Sequence, residues 1–267
     1  QAGVVGIVLH ALWLEPLSES PSDKIAVERA QSFFMKWFLD PIIFGEYPAE
    51  MRRILGPNLP RFSSKDLKLL HKAADFIGIN HYTSFYVRDC MYSACESGPG
   101  ASWTEGSYQR TPWRNSVPIG EPTAMSWLYI HPQGMENIVT YMKERYNNTP
   151  MFITENGYAQ ESNQSSLTND LLKDGKRVEY MAGYLDALLR TIRNGADVRG
   201  YFAWSLLDNF EWLEGYTKRF GLYHVDYGTL KRSPKSSVSW YKEFIAKHRK
   251  QTILRRGKTG VSTCEHF

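Results

Sequence analysis

The sequence lacks several features that would assign it to a common class of protein. No run of about 18 apolar residues occurs among its 267 residues, so no membrane-spanning helix and no membrane partner are predicted. The net charge of +4 is small and accompanies no basic stripe, which argues against nucleic acid as a partner. Histidine and cysteine are scattered without ligand spacing, so neither a metal site nor a cofactor is expected.

Cysteine is also scarce, with only three in the chain. Cys90 and Cys95 lie close enough in an irregular segment to form a disulfide in an oxidising compartment, whereas Cys264 is expected to stay free. Sequons begin at Asn147 and at Asn163, which predicts possible N-glycosylation there. Both features suit a secreted glycoprotein.

Aromatic residues, in contrast, are abundant. They make up 14% of the chain, with eight tryptophans and sixteen tyrosines, and the hydrophobic content of 42% is ample for a folded core. Most of these rings are expected in the core. Aromatic faces with polar rims also suit sugar rings, which stack on them.

Four short apolar runs are typical of buried parallel strands, and helical patterns alternate with them. The strands are predicted at residues 4–9, 75–80, 151–154 and 200–205. Helices are predicted at 23–38, from 63 or 64 onward, at 134–146, at 176–193 with Gly195 closing it, and at 236–247. A long loop is predicted at 88–125. Alternation of this kind favours an α/β fold with a parallel sheet.

The length of the chain would suffice for eight strands, yet only four emerge. We therefore predict that residues 1–250 form the C-terminal half of a single (β/α)8 TIM barrel domain, roughly strands five to eight with their helices. The N-terminal half of the same barrel is then an expected partner. The basic segment 251–267 is predicted to be a disordered tail.

Glu155 carries the strongest functional signal. It follows a short apolar run and precedes the Asn156-Gly157 turn signal, so it is expected at the carboxyl end of a strand. Barrel enzymes keep their catalytic groups at that end. The alternative is an exposed glutamate that opens an ordinary loop.

Three motifs together decide between these alternatives. They read NHYT at 80–83, FITENG at 152–157 and GYFAWSLLDNFEW at 200–212, and RFGL at 219–222 follows the same pattern. In this order, each behind a strand, they resemble the β-glucosidases of glycoside hydrolase family 1. The resemblance runs from residue 4 to about 244 and implies a (β/α)8 barrel that hydrolyses β-glycosides with retention of configuration.

The resemblance also implies roles for individual residues. Glu155 matches the catalytic nucleophile, and Tyr82 matches the phenol that orients it. The implied substrate-binding residues are Asn80, Trp204 as a platform under the sugar, Glu211 and Trp212 at its far hydroxyls, Phe220 in the pocket, and Trp127 at the aglycone. Taken singly, the aromatic residues of this set also fit ordinary core positions.

The acid/base glutamate of the family lies in an Asn-Glu-Pro motif behind strand four, and this tripeptide does not occur here. Glu15 stands in a superficially similar Trp-Leu-Glu-Pro segment behind the presumed fifth strand. We interpret Glu15 as part of the architecture of a loop. The catalytic acid/base is therefore expected outside this chain.

The loops at 39–51 and 89–95 are similar to those of plant enzymes that act on monolignol glucosides such as coniferin. The expected partner is thus a small-molecule β-glucoside, and the expected location is the apoplast or cell wall, with the vacuole as an alternative. Two other functions stay open. One is a thioglucosidase or transglucosidase of the same family, and the other is a non-catalytic sugar-binding or truncated form.

Overall fold

A computed structural model describes residues 3–70, 74–162 and 167–259. Its centre is a four-stranded sheet in which every neighbouring pair is parallel and the spatial order follows the chain. The strands are β1 (Gly6–His10), β2 (Phe76–Asn80), β3 (Met151–Asn156) and β4 (Val198–Ala203). The four predicted strands are therefore confirmed, with ends shifted by a few residues.

Alternation along the strands creates the two faces of this sheet. Ile77, Ile79, Met151 and Ile153 are buried, and they lie two residues apart on their strands, so each pair shares a face. The intervening Gly78 allows close approach on the other face, because an added Cβ would lie 2.7 Å from Val8 Cγ2. One face of the sheet thus contributes to the core, and the opposite face remains available for other contacts.

The helices largely follow the predicted pattern. They are α1 (Pro21–Ser32), α2 (Lys36–Phe44), α3 (Ala49–Leu55), α4 (Ser64–Leu70), α5 (Pro132–Arg145), α6 (Thr168–Leu172), α7 (Gly175–Arg193) and α8 (Ser236–Thr259). Three 3-10 turns occupy Gly56–Asn58, Trp103–Glu105 and Trp212–Glu214. Ser63 caps α4 by accepting from the Asp66 amide at 3.2 Å, while Asp66 accepts from the Ser63 amide at 2.8 Å.

Two helical predictions need correction. The single helix expected at 23–38 is two helices, because the chain leaves α1 after Ser32 and re-enters α2 at Lys36. The final helix continues to Thr259 rather than ending at 247, so it extends into the segment 251–267. Residues 260–267, including Cys264, lie outside the described part of the chain.

The segment 88–125 was predicted as a loop, and this too was wrong in part. Tyr108–Thr111 pairs with Ser84–Asp89, which in turn pairs with Trp13–Pro16, forming a second sheet of three strands. Two short hairpins follow, Trp113–Arg114 with Val117–Pro118 and Glu121–Pro122 with Tyr129–Ile130. Pairing between distant segments leaves little local signal, which is why the pattern at 88–125 did not predict these strands.

A buried ion pair fixes this segment to α1. Arg29 lies fully buried in α1, contacts the Asp89 carboxylate, and donates to the Gly106 carbonyl at 3.0 Å. Apolar residues of α1, of α3, of the second sheet and of the positions next to them form a buried cluster. The cluster consists of Leu12, Leu14, Ala26, Ala30, Phe33, Met51, Val87 and Tyr108.

Contacts divide the chain into two compact units. The first contains the described residues up to Ala159 together with Tyr180–Trp204, and so includes all four sheet strands. The second contains Gln160–Glu179 and the described residues from Ser205 onward. The second unit contains two antiparallel strand pairs, Gln160–Glu161 with Lys218–Arg219 and Tyr223–Val225 with Arg232–Pro234. Within the described ranges, none of the helices combines the length and apolar character needed to span a bilayer.

The outer strands of the four-stranded sheet are open at their far edges in the described part of the chain. β1 pairs only with β2 and β4 only with β3, and exposed apolar residues lie on both, with Val8 48% and Phe202 58% exposed. Exposed strand edges beside apolar surface promote association between chains.

We expect the 267-residue chain, expressed alone, to form oligomers or aggregates and to melt without a sharp transition. Co-expression with a segment that supplies barrel strands one to four should give a monomeric complex with a cooperative melt, because the open edges become paired. Light scattering after size-exclusion chromatography and thermal unfolding by circular dichroism measure both. A monodisperse, cooperatively melting monomer of the chain alone would contradict this.

Candidate active site

Glu155 lies at the carboxyl end of β3, as predicted. In the ladder between β2 and β3, Ile153 pairs with Ile79 but Glu155 pairs with Asn80, so β3 carries one extra residue, Thr154, at this point. An extra residue of this kind changes the direction in which the following side chain points. The irregularity thus sets the position of Glu155 at the edge of the sheet.

A single hydrogen bond defines the immediate surroundings of this carboxylate. Tyr82 donates its Oη proton to Glu155 Oε2 over 2.7 Å. Tyr82 is buried and Glu155 is half-buried, so the pair lies at the boundary between core and solvent. A phenol that donates to a carboxylate fixes the orientation of that carboxylate. The predicted pairing of these two residues is therefore present.

Two buried tyrosines of α7 hold Tyr82 in turn. The hydroxyl groups of Tyr180 and Tyr184 both donate to the Tyr82 carbonyl, at 3.0 and 2.8 Å, and their rings stack with centroids 4.2 Å apart. Burial raises the pKa of both phenols well above the ordinary value, so they remain protonated donors. Sequence reasoning missed both residues. The two tyrosines lie four residues apart on a predicted helix and therefore on the same face of it. That spacing was the sequence signal that could have identified them.

Asn156, the residue after the proposed nucleophile, is fully buried, and both the nitrogen and the oxygen of its side-chain amide form hydrogen bonds. Its Nδ2 donates to the His81 carbonyl at 2.8 Å and to the Tyr180 hydroxyl at 2.9 Å, while Tyr201 donates to its Oδ1 at 2.8 Å. The side chain therefore links β3, β4, α7 and the turn after β2. These bonds fix the position of the residue that directly follows Glu155.

His81 has a structural role, as expected. Its Nδ1 lies 2.8 Å from the Ala11 carbonyl, so this nitrogen carries the proton. Burial lowers the pKa of His81 to about 4, and the ring is therefore neutral at ordinary pH. A neutral, internally bonded ring anchors the turn that presents Tyr82 without adding charge beside it.

The other predicted residues of the first unit lie close to this pair. Asn80 pairs with Glu155 across the ladder and accepts a hydrogen bond from Thr154 Oγ1 at 2.6 Å. Trp127 meets the Tyr82 ring edge-on, with centroids 5.8 Å apart. Trp204 follows directly after β4, and its backbone amide donates to the Asn156 carbonyl at 2.9 Å.

The remaining predicted residues belong to the second unit. Phe220 is only 2% exposed and Glu211 is buried, whereas Trp212 is 86% exposed. Trp212 adopts the left-handed backbone region, with φ of 50°, which is strained for a bulky residue. Strain of this kind marks a conformation that the surrounding structure imposes.

A buried carboxylate organises the loop that carries these residues, and sequence reasoning missed it. Asp208 accepts from Lys235 Nζ at 2.9 Å, from Arg219 at 3.1 Å and from the Gly221 amide at 2.9 Å. Burial lowers the pKa of Lys235 to about 8, partly offset by the Asp208 charge. Such a cluster holds the backbone around Glu211 and Phe220 in a fixed shape.

Several other predicted features can be checked in the described residues. Glu15 lies on the strand Trp13–Pro16, where its Oε2 is 3.8 Å from Arg114, so its role is structural but it is not in a loop. Cys90 and Cys95 form a disulfide. Asn147 is exposed in the turn after α5, whereas Asn163 lies outside the described residues. Within the described ranges, no cluster of three potential metal ligands occurs.

A carboxylate held by a phenol at the carboxyl edge of parallel strands is the arrangement expected of (β/α)8 barrel enzymes. Comparison with known proteins specifies the family. The model of glycosyl hydrolase family 1 matches residues 1–250, and the chain belongs to this family. The resemblance inferred from the three motifs is thereby confirmed.

Individual relatives agree. The chain is 51% identical over 249 residues to Beta-glucosidase 47 of Arabidopsis thaliana. This alignment covers 93% of this chain and 44% of that protein. It is 52% identical over 259 residues to Probable inactive beta-glucosidase 14 of Oryza sativa subsp. japonica. That alignment covers 96% of this chain and 49% of that protein. The chain thus spans about half the length of the curated relatives it matches.

Solved structures confirm the fold as part of a (β/α)8 barrel. A rice β-glucosidase superposes with a TM-score of 0.84 at 46% sequence identity, covering 90% of this chain and 51% of that one. A mutant of the same rice enzyme, in a covalent complex with Glc, gives a TM-score of 0.83 at 46% identity, with the same coverage of 90% and 51%.

We expect Asn156→Ala to destabilise the complete polypeptide that carries this chain by about 2–4 kcal/mol, because it leaves several buried polar groups without partners. Urea unfolding measures the change. Asn58→Ala is the matched control, since Asn58 is exposed in a surface turn, and it should alter stability by less than about 0.5 kcal/mol. Equal effects of the two substitutions would contradict the proposed network.

Proposed function

We propose that the complete polypeptide carrying this chain is a retaining β-glucosidase whose nucleophile is Glu155. The observation that carries this proposal is the 2.7 Å hydrogen bond from Tyr82 to Glu155 at the carboxyl edge of the sheet. It supplies an oriented carboxylate where barrel enzymes place their chemistry. Membership of glycosyl hydrolase family 1 supports the same reaction class.

The reaction proceeds in two displacements. In the first, a Glu155 oxygen attacks the anomeric carbon of glucose, and the bond from that carbon to the aglycone oxygen breaks. The electron pair of the broken bond stays on the aglycone oxygen, which takes a proton from a carboxylic acid outside this chain. In the second, that group, now a carboxylate, deprotonates a water molecule. The water then attacks the anomeric carbon and releases Glu155 and β-glucose.

The Tyr82 hydroxyl has two roles in this sequence. Before attack, its hydrogen bond holds the carboxylate in one orientation. As the ester to glucose forms, negative charge leaves Glu155 and the hydrogen bond weakens, so the phenol is free to interact with the sugar. The clamp from Tyr180 and Tyr184 on the Tyr82 carbonyl keeps the phenol in place through both steps.

The sugar-binding roles are carried by the family resemblance. We propose Asn80 and Trp204 as glucose contacts near Glu155. For Glu211, Trp212 and Phe220, which belong to the second unit, we propose glucose-binding roles from the resemblance alone. A buried carboxylate such as Glu211 gives charge-assisted hydrogen bonds to hydroxyl groups. Trp127 is proposed at the aglycone, and its contact with Tyr82 supports a position beside the reacting centre.

For the aglycone we propose small phenylpropanoids, including monolignols as in coniferin. The loops at 39–51 and 89–95, which are similar to those of plant enzymes acting on monolignol glucosides, support this class. The aromatic residues around Trp127 support it as well. An apoplastic or cell-wall location is proposed as well, because the disulfide between Cys90 and Cys95 suits an oxidising compartment.

One observation favours a second candidate, a sugar-binding protein without hydrolytic activity. Among the relatives, one that is 52% identical is described as probably inactive. In that case Glu155 would contact glucose without forming a covalent bond.

Incubation of the complete polypeptide with an activated 2-deoxy-2-fluoro-β-glucoside distinguishes the two candidates. We expect a mass increase of one fluoroglucosyl group on the peptide that contains Glu155. The fluorine slows both displacements, and the activated leaving group keeps only the first one fast, so the intermediate accumulates. Glu155→Gln should lose turnover by several orders of magnitude and keep glucose binding. Binding of glucose without any label would favour the second candidate, and a label on another residue would exclude the nucleophile assigned here.

A further inference from the structure

A cavity of about 560 Å³ opens in the first unit beside the proposed catalytic pair. It is lined by His10, Leu12, Phe85, Ser97, Gly98, Pro99, Gln109, Arg110 and Trp127. The volume falls in the range of small-molecule sites, and the lining combines aromatic rings with few polar groups. None of these lining residues is acidic.

Trp127 connects this cavity to the nucleophile. It lines the cavity and meets Tyr82 edge-on at 5.8 Å, while Tyr82 donates to Glu155 at 2.7 Å. The cavity therefore begins one aromatic ring away from the phenol that orients the carboxylate. A group leaving the anomeric carbon would enter such a space.

Arg110 is the charged group of the cavity. Its guanidinium lies over the Phe34 ring at 5.8 Å and over the Phe85 ring at 5.7 Å. Within the described part of the chain, these ring contacts are the side-chain interactions of the half-buried Arg110, which forms neither a salt bridge nor a hydrogen bond there. Glu96 borders a neighbouring cavity that Arg110 also lines, but the two form no ion pair. The guanidinium thus has donors available to a ligand.

We propose that Arg110 selects aromatic aglycones that carry a carboxylate, a substrate preference that rests on the proposed glucosidase function. The aromatic ring of the aglycone packs against Trp127 and Phe85, and the carboxylate accepts from Arg110. A guanidinium presents paired N–H donors whose geometry matches a carboxylate. A neutral alcohol at the same position of the aglycone offers one weaker hydrogen bond.

The phenyl rings next to Arg110 strengthen this preference. They hold the guanidinium through cation–π contacts and so reduce the freedom it loses when a ligand binds. They also exclude water from one side of the ion pair, which raises its strength relative to a fully solvated pair. Charge on the aglycone, rather than size, then separates closely related substrates.

The test compares two substrates that differ at one group. One is coniferin, and the other is the β-glucoside of the corresponding phenolic acid, in which a carboxylate replaces the terminal alcohol. In the complete polypeptide, we expect kcat/KM for the acid to exceed that for coniferin by about tenfold. Arg110→Gln should remove this preference, and Arg110→Lys, which keeps the charge without the paired donors, should retain part of it.

Arg61→Gln is the matched control, because Arg61 is exposed, lines a different cavity and changes the net charge equally. It should leave the ratio of the two kcat/KM values unchanged. Since each ratio compares the same two substrates, differences in their intrinsic reactivity cancel between variants. An unchanged ratio in Arg110→Gln, or an equal fall in Arg61→Gln, would overturn the role of Arg110.

The outcomes also separate this inference from the function on which it rests. Hydrolysis of coniferin and other neutral aryl glucosides without any preference for the acid would reject the selection by Arg110 and leave the glucosidase function intact. Failure to cleave any aryl glucoside, with no label on Glu155, would reject the function itself and the aglycone preference with it.

Discussion

The hydrogen bond between Tyr82 and Glu155 is the constraint on which the site depends. A carboxylate at the edge of a sheet has several rotamers and is readily solvated, so its position alone does not make it a nucleophile. A phenol 2.7 Å away selects one orientation of the carboxylate. Other features of the first unit support this contact. The extra residue in β3 positions Glu155, and the carbonyl clamp of Tyr180 and Tyr184 positions Tyr82.

The supporting contacts are buried polar groups, and this has an energetic consequence. Asn156, Tyr180 and Tyr184 are each buried and each hydrogen-bonded to the backbone or to one another. Satisfied networks of this kind make a site rigid, whereas one missing partner leaves a buried group unpaired at a cost of about 1–3 kcal/mol. The precision of the site and its sensitivity to substitution therefore have the same origin. Catalysis also needs a second carboxyl group about 5 Å from the nucleophile, which the motifs of this chain do not supply.

Much of the fold follows from local sequence patterns. The runs around Ile77, Met151 and Ile153 are apolar because their strands are buried, and this signal is strong in parallel sheets. Glu155 and Tyr82 were found because motifs at strand ends keep fixed positions relative to the sheet. The extra residue in β3 and the second sheet escaped detection, since both depend on pairing between distant segments. Tyr180 and Tyr184 were missed for a different reason. On a buried helix face, tyrosine fits a core position as well as leucine does, and only the structure shows where its hydroxyl points.

The most direct test of Glu155 as nucleophile uses Glu155→Ala in the complete polypeptide with an activated aryl β-glucoside and sodium azide. Azide fills the space that the carboxylate leaves and attacks the anomeric carbon from that side, so the account predicts α-glucosyl azide, identified by NMR. Formation of β-glucosyl azide would show that the group removed was the acid/base, and it would contradict the assignment of Glu155.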